Sequence, residues 1–241
     1  REPESSSNAI RIDVRLESKL IALTNFIKKQ KKSKLIIPMK YGLFSGGKKI
    51  RSKILTDIGS LFNLNYRTLI ILGAAVECIH AYSLIHDDLP CMDNDTLRRG
   101  KPSTHIKFGE STAVLAGNSL LTMAFEILSK KNLNISEKNK IDLINKISGS
   151  SGHLGIAGGQ YLDLNFEHKK VSKKRIIEME IKKTGKLFSF CCAAPLIIKN
   201  KTTTEIKNIE NIGADIGLLF QVADDLIDHK GSSLTDRKKT G

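Results

Sequence analysis

With 241 residues, 40% of them hydrophobic, the chain is long enough to bury a core as one large domain or two small ones, and that share excludes a disordered polymer. Lys and Arg total 39 against 25 Asp and Glu, a formal charge of +14 that admits nucleic acid, an anionic membrane or phosphorylated substrates as partners. Scattered lysines, aromatics at 5% and no nucleic-acid motif argue for a local anion site and no nucleic acid, and no run of eighteen uncharged apolar residues argues against stable membrane insertion.

Arg1 to Asn8 are polar and Ser-rich, and residues 1–9 read as a disordered tail. From Ile10 to Lys32 apolar residues recur at helical spacing (Leu16, Leu20, Leu23, Phe26, Ile27), predicting an amphipathic helix, and the basic run Lys28 to Lys34 reads as a solvated turn. Gly46 and Gly47 then precede Lys48, Lys49 and Arg51. A glycine pair lets backbone approach a ligand, and Lys48 and Arg51 share a face if a helix starts there, so this stretch is a candidate diphosphate site, although no Walker loop is present.

Thr68 to His86 is apolar on nearly every side, as in a helix at the centre of a bundle, interrupted by Glu77, His80 and His86. His80 stands seven residues before Asp87 and so on the same side. The next stretch, His86 to Gly100, places Asp87, Asp88, Asp93 and Asp95 just before Arg98 and Arg99. Carboxylates beside guanidiniums suit a divalent cation and a phosphate. By itself such a run also fits a solvated, salt-bridged helix end. Asp87 and Asp93 lie about 240° apart round an ideal helix, so Pro90 must break it if both serve one site.

Glu110 to Leu128 predicts a helix containing Gly117 and Asn118, and Ser136 reads as the N-cap of a helix through Ile147. The stretch from Gly149 to Leu164 holds too many glycines for an ordinary helix; close packing around a cavity and a mobile loop are both open. Ser172 or a neighbour opens a helix through Lys199, with Thr184 and Gly185, weak helix formers, marking a kink that aims Lys183 and the Thr184 carbonyl inward. The last helix, Thr204 to Asp228, sets Asp224 and Asp228 four apart on one face, one turn after Gln221. Like charges at that spacing disfavour a bare helix, and a cation reverses the penalty. Cys78, Cys91, Cys191 and Cys192 show no CxxC spacing and read as reduced core residues of a cytoplasmic protein.

Taken together, Gly46 to Arg51, Glu77 to Pro102, Gly158 to Leu164, Lys183 to Gly185 and Phe220 to Asp228 resemble the trans-isoprenyl diphosphate synthase (polyprenyl synthetase) family, most closely its bacterial farnesyl diphosphate synthases, over about Met39 to Gly241. The resemblance implies an all-α isoprenoid synthase bundle around a central cavity, occupying residues 10–241, with the two Asp-rich motifs facing each other at the cavity mouth, as a homodimer. It implies a Mg2+-dependent prenyltransferase that condenses isopentenyl diphosphate with dimethylallyl and geranyl diphosphate to farnesyl diphosphate. Three Mg2+ would bind Asp87, Asp88, Asp93, Asp224 and Asp228, with Arg98, Lys183 and Lys238 completing the allylic diphosphate cradle. Lys48, Arg51, His80 and Arg99 would hold isopentenyl diphosphate, and Lys183, Thr184 and Gln221 would line the cationic carbon. Tyr82, five before Asp87, is expected to floor the cavity and set a fifteen-carbon product. Family members continue for several helices past the second motif, so those helices are expected to be lacking from this sequence or not shown in it.

A geranylgeranyl diphosphate synthase shares much of the first motif but more often has a smaller residue at the Tyr82 position. A terpene cyclase would mix Asn, Ser and Glu into the second motif and lack the Gly46–Gly47–Lys48 site. A basic anion-binding helical protein leaves the paired Asp clusters unexplained, and a non-catalytic family subunit tends to lose one of them.

Overall fold

The computed structural model describes residues 33–131 and 133–237, so the tail 1–9, the helix expected over 10–32 and Lys238 lie outside the described residues. They gather into two compact units, one of residues up to Ile144 with Ala194–Asn200, the other of Asn145–Ala193 with the stretch from Lys201. Among the described residues, all of the regular structure but two short strands is helical, as an all-α chain requires.

The first unit is built on α1 (Ile36–Leu43), α2 (Ile50–Leu61), α3 (Tyr66–Asp87), α4 (Thr104–Phe108) and α5 (Glu110–Leu128). Asn65 caps α3, its Oδ1 accepting from the N–H groups of Arg67 at 2.9 Å and Thr68 at 3.4 Å. The all-round apolarity of α3 is spent on burial against α1, α2 and α5: Leu69, Leu72, Ala75, Val76, Cys78 and Ile79 have no exposed surface. By length and apolarity α3 and α5 could each cross a bilayer, but α3 is the core of this unit. Gly117 lets α3 and α5 meet closely, since a Cβ there would strike the His86 ring. His86 Nε2 lies 3.1 Å from the Val114 carbonyl.

A two-residue antiparallel ladder, β1 (Leu97–Arg98) with β2 (Lys101–Pro102), follows α3. It is too short for any alternation pattern to announce it. α6 (Glu137–Ser151) starts at Ser136, whose Oγ accepts the Asn139 N–H at 3.2 Å, and runs past the expected end at Ile147.

The second unit holds α7 (Ile156–Phe166), α8 (Lys173–Glu180), a π-helical turn (Ile181–Gly185), α9 (Lys186–Ile198, entering from this unit) and α10 (Thr203–Arg237). The glycine-rich stretch is therefore largely helical. Close packing is the reason: a Cβ on Gly159 would sit 2.5 Å from Lys183 Cα, so α7 reaches the π-turn only without one. The single kinked helix expected from Ser172 to Lys199 is two α-helices joined by that π-turn. A π-turn inserts a residue without ending the helix and turns its carbonyls out of register. The cysteines are free, and Cys78, Cys191 and Cys192 are buried as expected, whereas Cys91 is exposed because it follows the break at Pro90.

Candidate active site

In the first unit α3 ends at Asp87, and the chain doubles back through Leu89 to Asn94. The Asp93 N–H donates to the Asp87 carbonyl at 2.9 Å, and the Asn94 N–H donates to the Leu89 carbonyl at 3.1 Å, with Asn94 left-handed at φ 54°. The helix break required at Pro90 thus brings the backbones of Asp87 and Asp93 together, although the two residues stand six apart. Asp88 turns elsewhere. It is buried, and its Oδ1 accepts both Nε (2.9 Å) and Nη2 of Arg98, which also lies 3.2 Å from Asp95. Among the described residues no three metal-ligating side chains converge into a ready cage, so Asp87, Asp88 and Asp93 are neighbours along the turn without being pre-clustered.

Burial pushes the Asp88 carboxyl above the usual carboxylate range, with the Arg98 hydrogen bond pulling the other way. For Arg98 burial lowers the guanidinium, but the hydrogen bond and the carboxylates of Asp88, Asp95 and Asp87 outweigh it and raise it. The two directions pull apart on which partner is better served. Two donors of one fork on one oxygen favour the ionised pair at neutral pH.

Arg99, the very next residue, is left-handed at φ 53° and points to a different place. Its Nη1 donates to the Gly46 carbonyl and lies 3.5 Å from Ser45 Oγ. Gly47, at φ +96°, leaves room for it, since a Cβ there would fall 2.6 Å from the guanidinium carbon. Arg51 Nη1 lies 3.3 Å from His80 Nε2. A guanidinium only donates, so Nε2 accepts and His80 is neutral with its proton on Nδ1. Burial first, then Arg51, Lys49, Arg99 and Arg98, hold its pKa well below the ordinary histidine value. Arg51, His80 and Arg99 are thus gathered around the Gly46–Gly47 loop. Lys48 is exposed on the loop itself, and because α2 begins only at Ile50 the condition for its sharing a helix face with Arg51 is not met. Tyr82, buried five residues before Asp87, packs edge-on to His86 with ring centroids 5.8 Å apart. Burial, then the Asp87 charge, pushes its phenol up to about 12.

In the second unit the π-turn presents Lys183 and Thr184. Lys183 Nζ meets Asp163 Oδ2 at 2.5 Å, and Thr184 Oγ1 donates to Gln221 Oε1 at 3.2 Å. Asp163 carried no expected role. A helical reading of Gly159 to Asp163 would have placed it one turn along the face that meets Lys183. Gln221 and Asp224 follow one another on α10, Asp224 exposed, and α10 continues unbroken through Asp228, whose side chain falls outside the described residues.

Residues 32–241 match the sequence pattern of the polyprenyl synthetase family. Among curated proteins, the chain is 42% identical over 228 residues to the farnesyl diphosphate synthase of Buchnera aphidicola from Acyrthosiphon pisum, covering 93% of this chain and 80% of that one. Among solved structures it is similar to a geranyltransferase from Legionella pneumophila, at TM-score 0.88 and 34% identity, covering 94% of this chain and 81% of that one. It is also similar to an FPP/GFPP synthase from Zymomonas mobilis, at TM-score 0.85 and 37% identity, covering 92% and 82%.

Proposed function

The chain belongs to the polyprenyl synthetase family, and from that premise we propose that it is a prenyltransferase that joins isopentenyl diphosphate head to tail to dimethylallyl and then geranyl diphosphate, ending at farnesyl diphosphate. One observation carries the reading: Arg98 and Arg99, adjacent in sequence, serve two different poles, Arg98 the Asp-rich turn and Arg99 the Gly46–Gly47 loop. An enzyme that must hold two diphosphates apart needs two such poles. A single-substrate diphosphate lyase needs only the first.

The hard oxygen donors of Asp87, Asp93, Asp224 and Asp228 suit Mg2+. Asp88, whose Oδ1 also holds Arg98, completes that donor set. When bound, Mg2+ neutralises charge on the departing allylic diphosphate. Arg98 and Lys183, with Lys238 by resemblance, donate to the same oxygens. The allylic C–O bond breaks, and Thr184 and Gln221 turn oxygen dipoles toward the cationic carbon. Lys48, Arg51 and Arg99 hold isopentenyl diphosphate, with neutral His80 orienting Arg51, so that its double bond attacks that carbon and a proton leaves to the released diphosphate. Free cysteines agree with a cytoplasmic setting, and the family resemblance with a homodimer.

Tyr82 is assigned as the floor that stops the chain at fifteen carbons. The decisive assay supplies isopentenyl diphosphate with dimethylallyl or geranyl diphosphate, with Mg2+ or with chelator, and reads products by chain length. Farnesyl diphosphate with Mg2+ and none with chelator is expected; no condensation sinks the reading. Tyr82→Ala is expected to shift the main product to twenty carbons or longer, and an unchanged farnesyl product removes Tyr82 as the floor.

A further inference from the structure

We propose that Glu77 is a positioning residue for the loop from Gly46 to Arg51, and that Lys49, beside Lys48 in the same basic run, is the loop's internal strap and not a ligand for diphosphate. The proposal rests on the function assigned above, and it concerns two residues to which that function gives no part.

Glu77 sits on α3, only 5% exposed, amid apolar neighbours. A carboxylate in such a place needs partners. It finds them in the next element. Its Oε1 accepts the Ser52 N–H at 3.4 Å, the third residue of α2, one of the donors a helix start leaves without an intrahelical acceptor. Lys49 at the N-cap offers no side-chain acceptor, so Glu77 caps α2 from α3. Its Oε2 lies 3.2 Å from Lys49 Nζ. That contact is electrostatic, because the aligned hydrogen bond of the ammonium goes to the Leu43 carbonyl at 2.9 Å.

The backbone explains why such a device is required. Lys49 is left-handed, at φ 48° and ψ 41°, where a residue with a Cβ is strained. Strain of that kind persists only where surrounding groups over-determine it. Three contacts do so here: Nζ to Leu43, the Glu77 charge, and Ser52 Oγ, which donates to the Lys49 carbonyl at 3.1 Å. The outcome is a tight loop closed between Leu43 and α2, with its Gly46 carbonyl turned to Arg99 and Lys48 left outside. Lys49 has a side chain 12% exposed and an ammonium already committed twice, so it is not available to a ligand.

Glu77 and His80 stand three apart and so share one face of α3. Glu77 fixes the loop and the first turn of α2, and His80 receives Arg51 from that same turn. The Glu77 charge also offsets a gathering of like charge from Lys49, Arg51 and Arg99, which would otherwise push the loop open.

The test uses the full chain, with Glu77→Gln, which keeps an oxygen acceptor for Ser52 but removes the charge, Lys49→Gln on the less buried partner, and the double variant. KM for isopentenyl diphosphate and for geranyl diphosphate are measured separately, and calorimetry gives Kd for isopentenyl diphosphate. Each single variant is expected to raise KM and Kd for isopentenyl diphosphate about tenfold, the double variant no further than Glu77→Gln, with kcat and the geranyl diphosphate KM within about threefold of wild type. Isopentenyl diphosphate constants within twofold of wild type in either soluble single variant overturn the proposal, as does an equal rise in both KM values. If Glu77→Gln does not fold, Lys49→Gln decides alone. Wild-type protein that binds isopentenyl diphosphate but does not condense it counts against the assigned function instead, and the Kd comparison still judges Glu77.

Discussion

The two units carry aspartates at helix ends and interiors of opposite construction. In the first, Asp87 and Asp93 are six residues apart and come together only because α3 stops and the Asp93 N–H returns to the Asp87 carbonyl. In the second, Asp224 and Asp228 are four apart and α10 runs on through both. Spacing accounts for the contrast. Four residues nearly close a helical turn, so an intact helix already aligns the pair, whereas six residues do not and the backbone must be re-routed. The irregularity of the second unit is placed elsewhere, in the π-turn that carries Lys183 and Thr184.

If the broken turn and the intact helix serve one reaction, Asp87→Asn and Asp224→Asn should each lower kcat by about a thousandfold, measured with saturating Mg2+. A large loss for one and a small loss for the other would show that only one cluster carries the chemistry. Gly159→Ala forces a methyl group against the Lys183 backbone, so it should destabilise by about 1–3 kcal/mol in urea unfolding, and should lower kcat as Lys183 shifts. Retained stability would mean that α7 and the π-turn separate easily.

The smallest effect concerns pH. His80 has a folded pKa depressed by burial and by the surrounding guanidiniums and ammonium, so its contribution to stability is present above the unfolded value, about 6.5, and is lost as pH falls toward the depressed value. The unfolded chain takes up that proton first. His80→Gln should therefore flatten the fall of Tm between about pH 7 and 5 by part of its slope. His80 lies on α3, so the acid sensitivity it contributes belongs to the first unit. An unchanged slope would assign it to other groups.

Much of this was legible from residue order. The break at Pro90 followed from the angle between Asp87 and Asp93, the core position of α3 from apolarity on every side, and the Ser136 cap from its place before a periodic run. Other features were not. Gly158 and Gly159 read as helix-breaking because propensity counts the entropy of glycine but not the neighbour that its missing Cβ admits. Asp163 and Glu77 went unassigned because each acts on a residue distant in sequence, Lys183 and Lys49. Residue order leaves open whether Lys48 shares a helix face with Arg51, because nothing in Gly46 to Lys49 states that Lys49 turns left-handed and delays α2 to Ile50.

What the sequence determined by itself is the set of chemical groups and the local geometry that short-range sterics impose: carboxylates at four- and six-residue spacing, guanidiniums next to them, glycines ahead of lysines, and a proline where a helix has to end. What only the tertiary structure decided is which charge answers which. Arg98 goes to Asp88, Arg99 to the Gly46 carbonyl, Lys183 to Asp163 and Lys49 to Glu77. Charge has no periodicity along a chain, so residue order does not name the partner of any of these side chains. Packing selects the partner, through where α3 presents Glu77 and His80 to α2, and where Gly159 lets α7 meet the π-turn.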